Sequence, residues 1–137
     1  MTYWLFKSEP SAWSWDQQVQ EGPGGTEWDG IRNYQARNNM RAMKKGELGF
    51  FYHSIDQKRV VGIVEVVVEV HPDSTDGTGK WECVDVAAAE AVPNPVTLEQ
   101  IKAEPKLADM VLVKNSRLSI QPVSASEWYL VRKMAGL

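Results

Sequence analysis

Hydrophobic and polar positions along this 137-residue chain switch between strand and helix periods several times. Residues 3 to 7, Tyr-Trp-Leu-Phe-Lys, predict a buried strand, ended by Ser8-Glu9-Pro10 because Pro10 has no N–H for a ladder. Ser14-Trp-Asp-Gln17 has capping-box spacing and opens a short helix towards Gln20. Glu21 to Gly30, with Gly-Pro-Gly-Gly inside it, reads as a loop. Residues 33 to 45 fit a helix: Ala36, Met40 and Met43 fall at i, i+4 and i+7, and Gly46 supplies the stop. Arg37, Arg41, Lys44 and Lys45 occupy a neighbouring stripe.

Strand patterns follow. Leu48 to Ser54 and Arg59 to Val70 predict a hairpin joined by Ile-Asp-Gln-Lys, and Gly62 marks a bulge or a close backbone approach. Asp73 to Lys80 is a loop, and Trp81 to Ala91 alternates as a strand. Thr97-Leu-Glu-Gln100 is a second capping box, opening a helix to about Ala103. Met110 to Val113 and Arg117 to Val123 read as a last pair of strands. Ser124-Ala-Ser-Glu127 then caps a C-terminal helix bearing Trp128, Leu130, Val131 and Met134. The order predicts one α+β domain over residues 1–137, a curled sheet or partial barrel with short helices.

Composition is that of an ordinary globular chain, 43% hydrophobic and 24% charged. No apolar run approaches the roughly 18 residues that span a bilayer. The N-terminus lacks the basic and small-residue features of a signal peptide. A single Cys83 excludes an internal disulfide, and two histidines with one cysteine show no zinc-ligand spacing. These features predict a cytoplasmic monomer with no metal and no cofactor.

Charge changes the picture. Residues 32 to 59 hold seven lysines and arginines against two acids, a local +5 in a chain of net charge −3. The same stretch carries Tyr34, Phe50, Phe51, Tyr52, Asn33 and His53, just after Trp28. Flat rings beside a basic stripe suit an unpaired nucleic-acid base and its phosphates, although a basic helix stripe can equally be a solvated face. Asn33 offers donor and acceptor to a base edge. Trp4 and Trp15 fit packing, whereas Trp28 and Trp81 follow glycine-containing loops and suit a stacking site.

Familiar catalytic and phosphate-loop motifs are absent. Cys83 reads as a small buried side chain, and His71, before Pro72, as a surface loop residue. His53 is either a base contact or a satisfied core histidine. Lys7-Ser8-Glu9 is the best catalytic candidate, against a plainer reading as a strand end with a binding role for Lys7 and Ser8.

Several blocks in order carry a further resemblance: Tyr3 to Pro10, Trp28 to Asn38, Phe51 to Ser54, Val61 to Val66, Trp81 to Val86 and Arg117 to Val123. Over essentially the whole chain they resemble the EVE domain family. That resemblance implies a PUA-like fold, a curved mixed sheet forming a small open barrel flanked by helices, shared with YTH and ASCH domains. It also implies a non-catalytic reader of modified bases, with modified cytosine in DNA favoured over RNA. On that basis Lys7 and Ser8 border the pocket, Asn33 and Tyr34 meet the base edge, and Trp28 and Trp81 form cage walls. Tyr52, His53 and Ser54 form the floor, while Arg32, Arg37 and Arg41 meet phosphates. The alternatives are an ASCH-like amidohydrolase of an acylated nucleobase, using Lys7 and Glu9, and a small-molecule or peptide-binding module.

Overall fold

The computed structural model describes all residues, Met1–Leu137. Six strands form one mixed sheet: β1 (Tyr3–Ser8), β2 (Thr26–Glu27), β3 (Leu48–His53), β4 (Arg59–Pro72), β5 (Glu82–Thr97) and β6 (Ile120–Val123). Their spatial order is β2-β5-β4-β3-β1-β6. Only β1 with β3 is parallel; the other pairs are antiparallel. Five helices attach: α1 (Trp15–Gln20), α2 (Tyr34–Ala42), α3 (Leu98–Ala103), α4 (Val111–Lys114) and α5 (Ala125–Met134).

The period of two explains why β1 is apolar from Tyr3 to Phe6. Tyr3 and Leu5 face one core, Trp4 and Phe6 the other. The first core lies under α3, α4 and α5, with Trp128 stacked on Tyr3 at 4.5 Å and on Phe50 at 4.1 Å. The second lies under α1 and α2, where Ala36, Met40 and Met43 meet Phe51, Val64 and Val86. Helices therefore cover both faces of a curved, open α+β sheet.

All three predicted capping boxes form, at Ser14, Thr97 and Ser124. Gly62 does both things expected of it: the β3–β4 and β4–β5 registers shift beside it, and the Trp15 ring lies against its backbone. A Cβ there would sit 2.5 Å from ring carbons of Trp15. Gly62→Ala is expected to cost about 1–3 kcal/mol through overpacking, read as a lower denaturation midpoint. An unchanged midpoint would mean that α1 is free to move off the sheet.

Several boundaries differ from the sequence reading. The first loop contains the short strand β2. Helix α2 stops at Ala42, ahead of Gly46, because Met43 turns inward to full burial. The carboxylate of Glu47 fixes that turn by accepting from the Lys44 N–H (2.8 Å) and the Trp4 Nε1–H (3.0 Å). Strand β5 starts after Trp81 and runs on to Thr97 through Pro93 and Pro95. Those prolines are tolerated because β2 pairs only with Asp85 and Val86, leaving the later edge of β5 without a ladder to feed. The predicted strand Arg117–Val123 shortens to Ile120–Val123. Met110–Val113 is no strand: Val111–Lys114 is helical, with the Met110 carbonyl accepting from the Val113 and Lys114 N–H groups. Its expected partner strand β6 pairs with β1 instead, and docking of Met110 and Leu112 into the first core overrides β propensity.

Candidate functional site

A cavity opens where β1 ends. It has a volume of about 330 Å³ and is lined by Lys7, Ser8 and Glu9, by Ala12 and Trp13 of the next turn, and by the stretch Thr26–Asp29 with Ile31. Ser8 holds that turn, its Oγ–H donating to the Trp13 carbonyl at 2.5 Å. The Trp13 Nε1–H donates to Gln18 Oε1 at 2.9 Å, and Gln18 Nε2 donates to the Val86 carbonyl at 3.0 Å. Fully buried Gln18 thus ties the indole of Trp13 to the sheet. Trp28 forms another part of the wall. Its ring meets the edges of Phe6 (5.2 Å) and Phe51 (5.5 Å), and the residue's main-chain N–H donates to the Val84 carbonyl.

Carboxylates dominate the lining. Glu9, Glu27 and Asp29 stand there with Lys7 as the only cation. The Lys7 ammonium donates to the Ser116 carbonyl and lies 5.9 Å from the Tyr52 ring, on the face of β1 opposite Ser8. Burial pulls its pKa down. Asp29 is pushed up by burial and by neighbouring Asp73 and Glu27, with Arg32 opposing.

Beyond the pocket a second cluster forms a ledge. Tyr34, half exposed, lies 4.9 Å from Trp81 with the rings tilted by 31°. The Arg37 guanidinium sits 4.8 Å from the Tyr34 centroid and 5.6 Å from that of Trp81. Lys80 lies 5.2 Å from Tyr34, and Arg32 lies 5.8 Å from Trp81. These are cation–π distances. Arg32 also pairs with buried Asp73 at 3.1 Å. Burial alone would raise the Asp73 carboxyl, but hydrogen bonds from Thr75, Gly30 and Arg32 outweigh it and hold it at about 2. Arg32 follows pocket-lining Asp29 by three positions, so the two main-chain positions lie within roughly 11 Å.

The sequence-predicted site thus divides into a pocket and a ledge. Lys7, Ser8 and Trp28 border the pocket; Arg32, Tyr34, Arg37 and Trp81 build the ledge. Trp28 and Trp81 are therefore not two walls of one cage; Trp13 shares the pocket with Trp28. Asn33 is the N-cap of α2, its Oδ1 accepting from the Ala36 N–H, so that acceptor is already engaged. Arg41 pairs with Glu82 at 2.5 Å.

The expected floor lies elsewhere. Tyr52 belongs to the opposite core, where burial pushes its phenol up to about 12. His53 is a satisfied core histidine: Nε2 accepts from the Trp15 N–H, fixing the tautomer in which Nδ1–H donates to Gln57 Oε1. Ser54 joins the framework, its N–H donating to the Ser8 carbonyl.

His71 is no loop residue but part of β4, its Nε2 2.7 Å from Asp85 Oδ1, and that bond raises its pKa. The fold brings donor atoms of Glu27, His71 and Cys83 within 4.8 Å of one another, a grouping their sequence spacing conceals. Each is already engaged: Glu27 Oε1 accepts from the Ser74 N–H and from the Cys83 thiol, and both His71 ring nitrogens have partners. Burial and the facing Glu27 carboxylate push the thiol up, away from the thiolate a metal needs. The cluster is a hydrogen-bond network joining β2, β4 and β5.

Gln18, Thr26, Glu27, Asp29 and Ile31 escaped the sequence reading. Gln18 left one trace, a polar residue three positions after Trp15 on the core face of a capped helix.

A family model described as EVE domain matches residues 2–134. Human thymocyte nuclear protein 1 is 33% identical over 162 residues, covering 95% of this chain and 72% of its own length. A crystal structure of an Agrobacterium tumefaciens protein is 56% identical, with a TM-score of 0.98, over 100% of this chain and 94% of that one. Human THYN1, solved in complex with 5-methylcytosine containing DNA, is 33% identical with a TM-score of 0.92, over 100% of this chain and 99% of that one. A YTH domain from Zygosaccharomyces rouxii, 18% identical with a TM-score of 0.57, covers 98% of this chain and 86% of its own; it shares the fold.

Proposed function

This chain belongs to the EVE domain family, and from that premise we propose that it is a non-catalytic reader of a modified base in nucleic acid. Modified cytosine in DNA is the first ligand to test, since the THYN1 relative was solved with 5-methylcytosine containing DNA. The base enters the pocket between Trp13 and Trp28; the backbone crosses the Tyr34–Trp81 ledge, where Arg32, Arg37 and Lys80 meet phosphates. One observation carries this reading: a pocket of about 330 Å³ with two tryptophans in its lining stands beside a ledge that offers two rings and three cations.

A small modification sensed by fit and apolar contact discriminates by roughly 1–3 kcal/mol. Most of the affinity therefore comes from phosphates and falls with salt. The amidohydrolase alternative needs a free Lys7 amine, whereas that amine donates to the Ser116 carbonyl. We place the protein in the cytoplasm as a monomer, although the name of its animal relatives points to the nucleus. No helix is long and apolar enough to cross a membrane.

The test is a low-salt titration of single-stranded DNA and RNA carrying cytosine, 5-methylcytosine, 5-hydroxymethylcytosine, adenine or N6-methyladenine. Wild type and Trp13→Ala are compared. Preference for one modified base, lost in Trp13→Ala while folding and weak overall binding persist, is the expected result. Equal affinity for modified and plain strands would overturn the reading.

A further inference from the structure

Pocket and ledge carry opposite charge, and that division specifies what each accepts. A phosphate in the pocket would face Glu9, Glu27 and Asp29, with the Lys7 ammonium directed to Ser116. Counter-charges for phosphate stand outside, on the ledge. What enters the pocket is therefore uncharged or a hydrogen-bond donor.

Two of the three pocket acids are already engaged. Glu27 accepts from the Ser74 N–H and from the Cys83 thiol, and Glu9 accepts from the Ser11 hydroxyl. Asp29 takes no hydrogen bond from the protein; its neighbour Gly30 donates instead to Asp73. It immediately follows the wall residue Trp28 and lines the same cavity. Asp29, exposed at the pocket, is thus the lining acid left free to meet the edge of a base inserted beside Trp28.

We propose that Asp29 reads the base and, when protonated, pairs with the edge common to cytosine and adenine, a ring-nitrogen acceptor beside an exocyclic amine. The inference rests on the pocket being the base site. A carboxylic acid pairs with that edge through two hydrogen bonds. Its O–H donates to the ring nitrogen, and its carbonyl oxygen accepts from the amine. One proton is held by the pair, whichever partner carried it beforehand, so binding takes up a proton from neutral solution. An ionised carboxylate keeps the amine contact but faces the lone pair of the ring nitrogen. The partly desolvated, acid-crowded setting that raises Asp29 favours the protonated form.

Other bases behave differently. Guanine offers two donors, N–H and NH₂, which suit the ionised carboxylate and would make binding weaken in acid. Thymine also pairs with the protonated form through two bonds, its ring N–H donating to the acid carbonyl and one of its carbonyls accepting from the acid O–H, so Asp29 sets these bases apart from guanine alone. A methyl at cytosine C5 lies off this edge, so Asp29 sets the base while the rings sense the methyl.

The groups around Asp29 that could also titrate or exert charge are Glu9, Glu27, Asp73, Lys7 and Arg32. His71 lies behind Glu27 and faces Asp85, and its protonation would raise affinity for any oligonucleotide. The experiment therefore measures a ratio: affinity for a single strand with 5-methylcytosine over that for the same strand with an abasic residue there. Wild type, Asp29→Asn and Asp29→Ala are followed from mildly basic to mildly acidic pH at fixed low salt. In wild type the ratio is expected to rise with acid, by at most about tenfold per pH unit for one proton. Asn keeps a donor and an acceptor, so Asp29→Asn should retain the ratio and lose its pH dependence. Asp29→Ala should lose the ratio by about tenfold or more.

A ratio that falls with acid, or a pH dependence that survives in Asp29→Asn, overturns the assignment while leaving the pocket as a base site. A wild-type ratio near one at every pH overturns the base-site reading and this inference with it.

Discussion

Trp28→Ala is expected to lose about 3–5 kcal/mol of folding stability, the largest effect of any single truncation around the pocket. The ring is only 6% exposed, packs edge-on against Phe6 and Phe51, and belongs to the core beneath α1 and α2. Removing it leaves a cavity beside Phe6 and Phe51 in a sheet covered by helices on both faces. Denaturant unfolding monitored by far-UV circular dichroism checks this, with Trp13→Ala as comparator. Trp13 is half-buried, so its truncation should cost clearly less. A loss below about 1 kcal/mol for Trp28→Ala would mean that the ring is an adjustable lid and not a core side chain. Trp28 is thus framework and wall at once, and a binding defect in its alanine variant would not distinguish the two.

On the ledge, Arg37→Glu is expected to lower affinity for single-stranded oligonucleotides at least tenfold and to shrink the salt dependence by about one phosphate. The guanidinium sits over both Tyr34 and Trp81, so reversal of its charge also disturbs the stacked pair. Trp81→Ala should remove roughly 1–3 kcal/mol of base stacking, with the salt slope largely kept. Arg41→Glu should weaken binding less, because Arg41 is already paired with Glu82. Fluorescence anisotropy across a salt series separates these outcomes. If Arg37→Glu leaves both affinity and slope unchanged, the ledge is a solvated surface and the phosphates run elsewhere.

Much of the fold was legible because local chemistry decided it. The unbroken apolar run Tyr3–Phe6 required burial on both sides, and each of the three capping boxes opened a helix where it stood. Gly62 signalled the bulge and the near contact of Trp15. Met110–Val113 was misread because its β-branched side chains say nothing about which sheet edges remain open.

The site was less legible for a related reason. Rings and cations could be counted in one segment, but their partition between Trp28 in the pocket and Trp81 on the ledge depends on β2 docking at β5. Tyr52 and His53 are adjacent to Phe51, yet alternation and a hydrogen bond to the Trp15 main chain assign them to the framework. Asp29 lies inside the block that carried the family resemblance, but its role follows from what it does not bond to, which no sequence pattern records.

The place of β1 in the sheet bears on how the molecule comes into being. β1 lies between β3 and β6, so Phe6 awaits Ile120 and Leu5 awaits Gln121. Closing so long a stretch of chain is entropically slow, and contacts of this kind set the pace of folding. During synthesis, the β6 flank of β1 stays open until Ile120–Val123 emerge. Until then the nascent chain presents its apolar Tyr-Trp-Leu-Phe strand with an unpaired edge, open to chaperones and to aggregation.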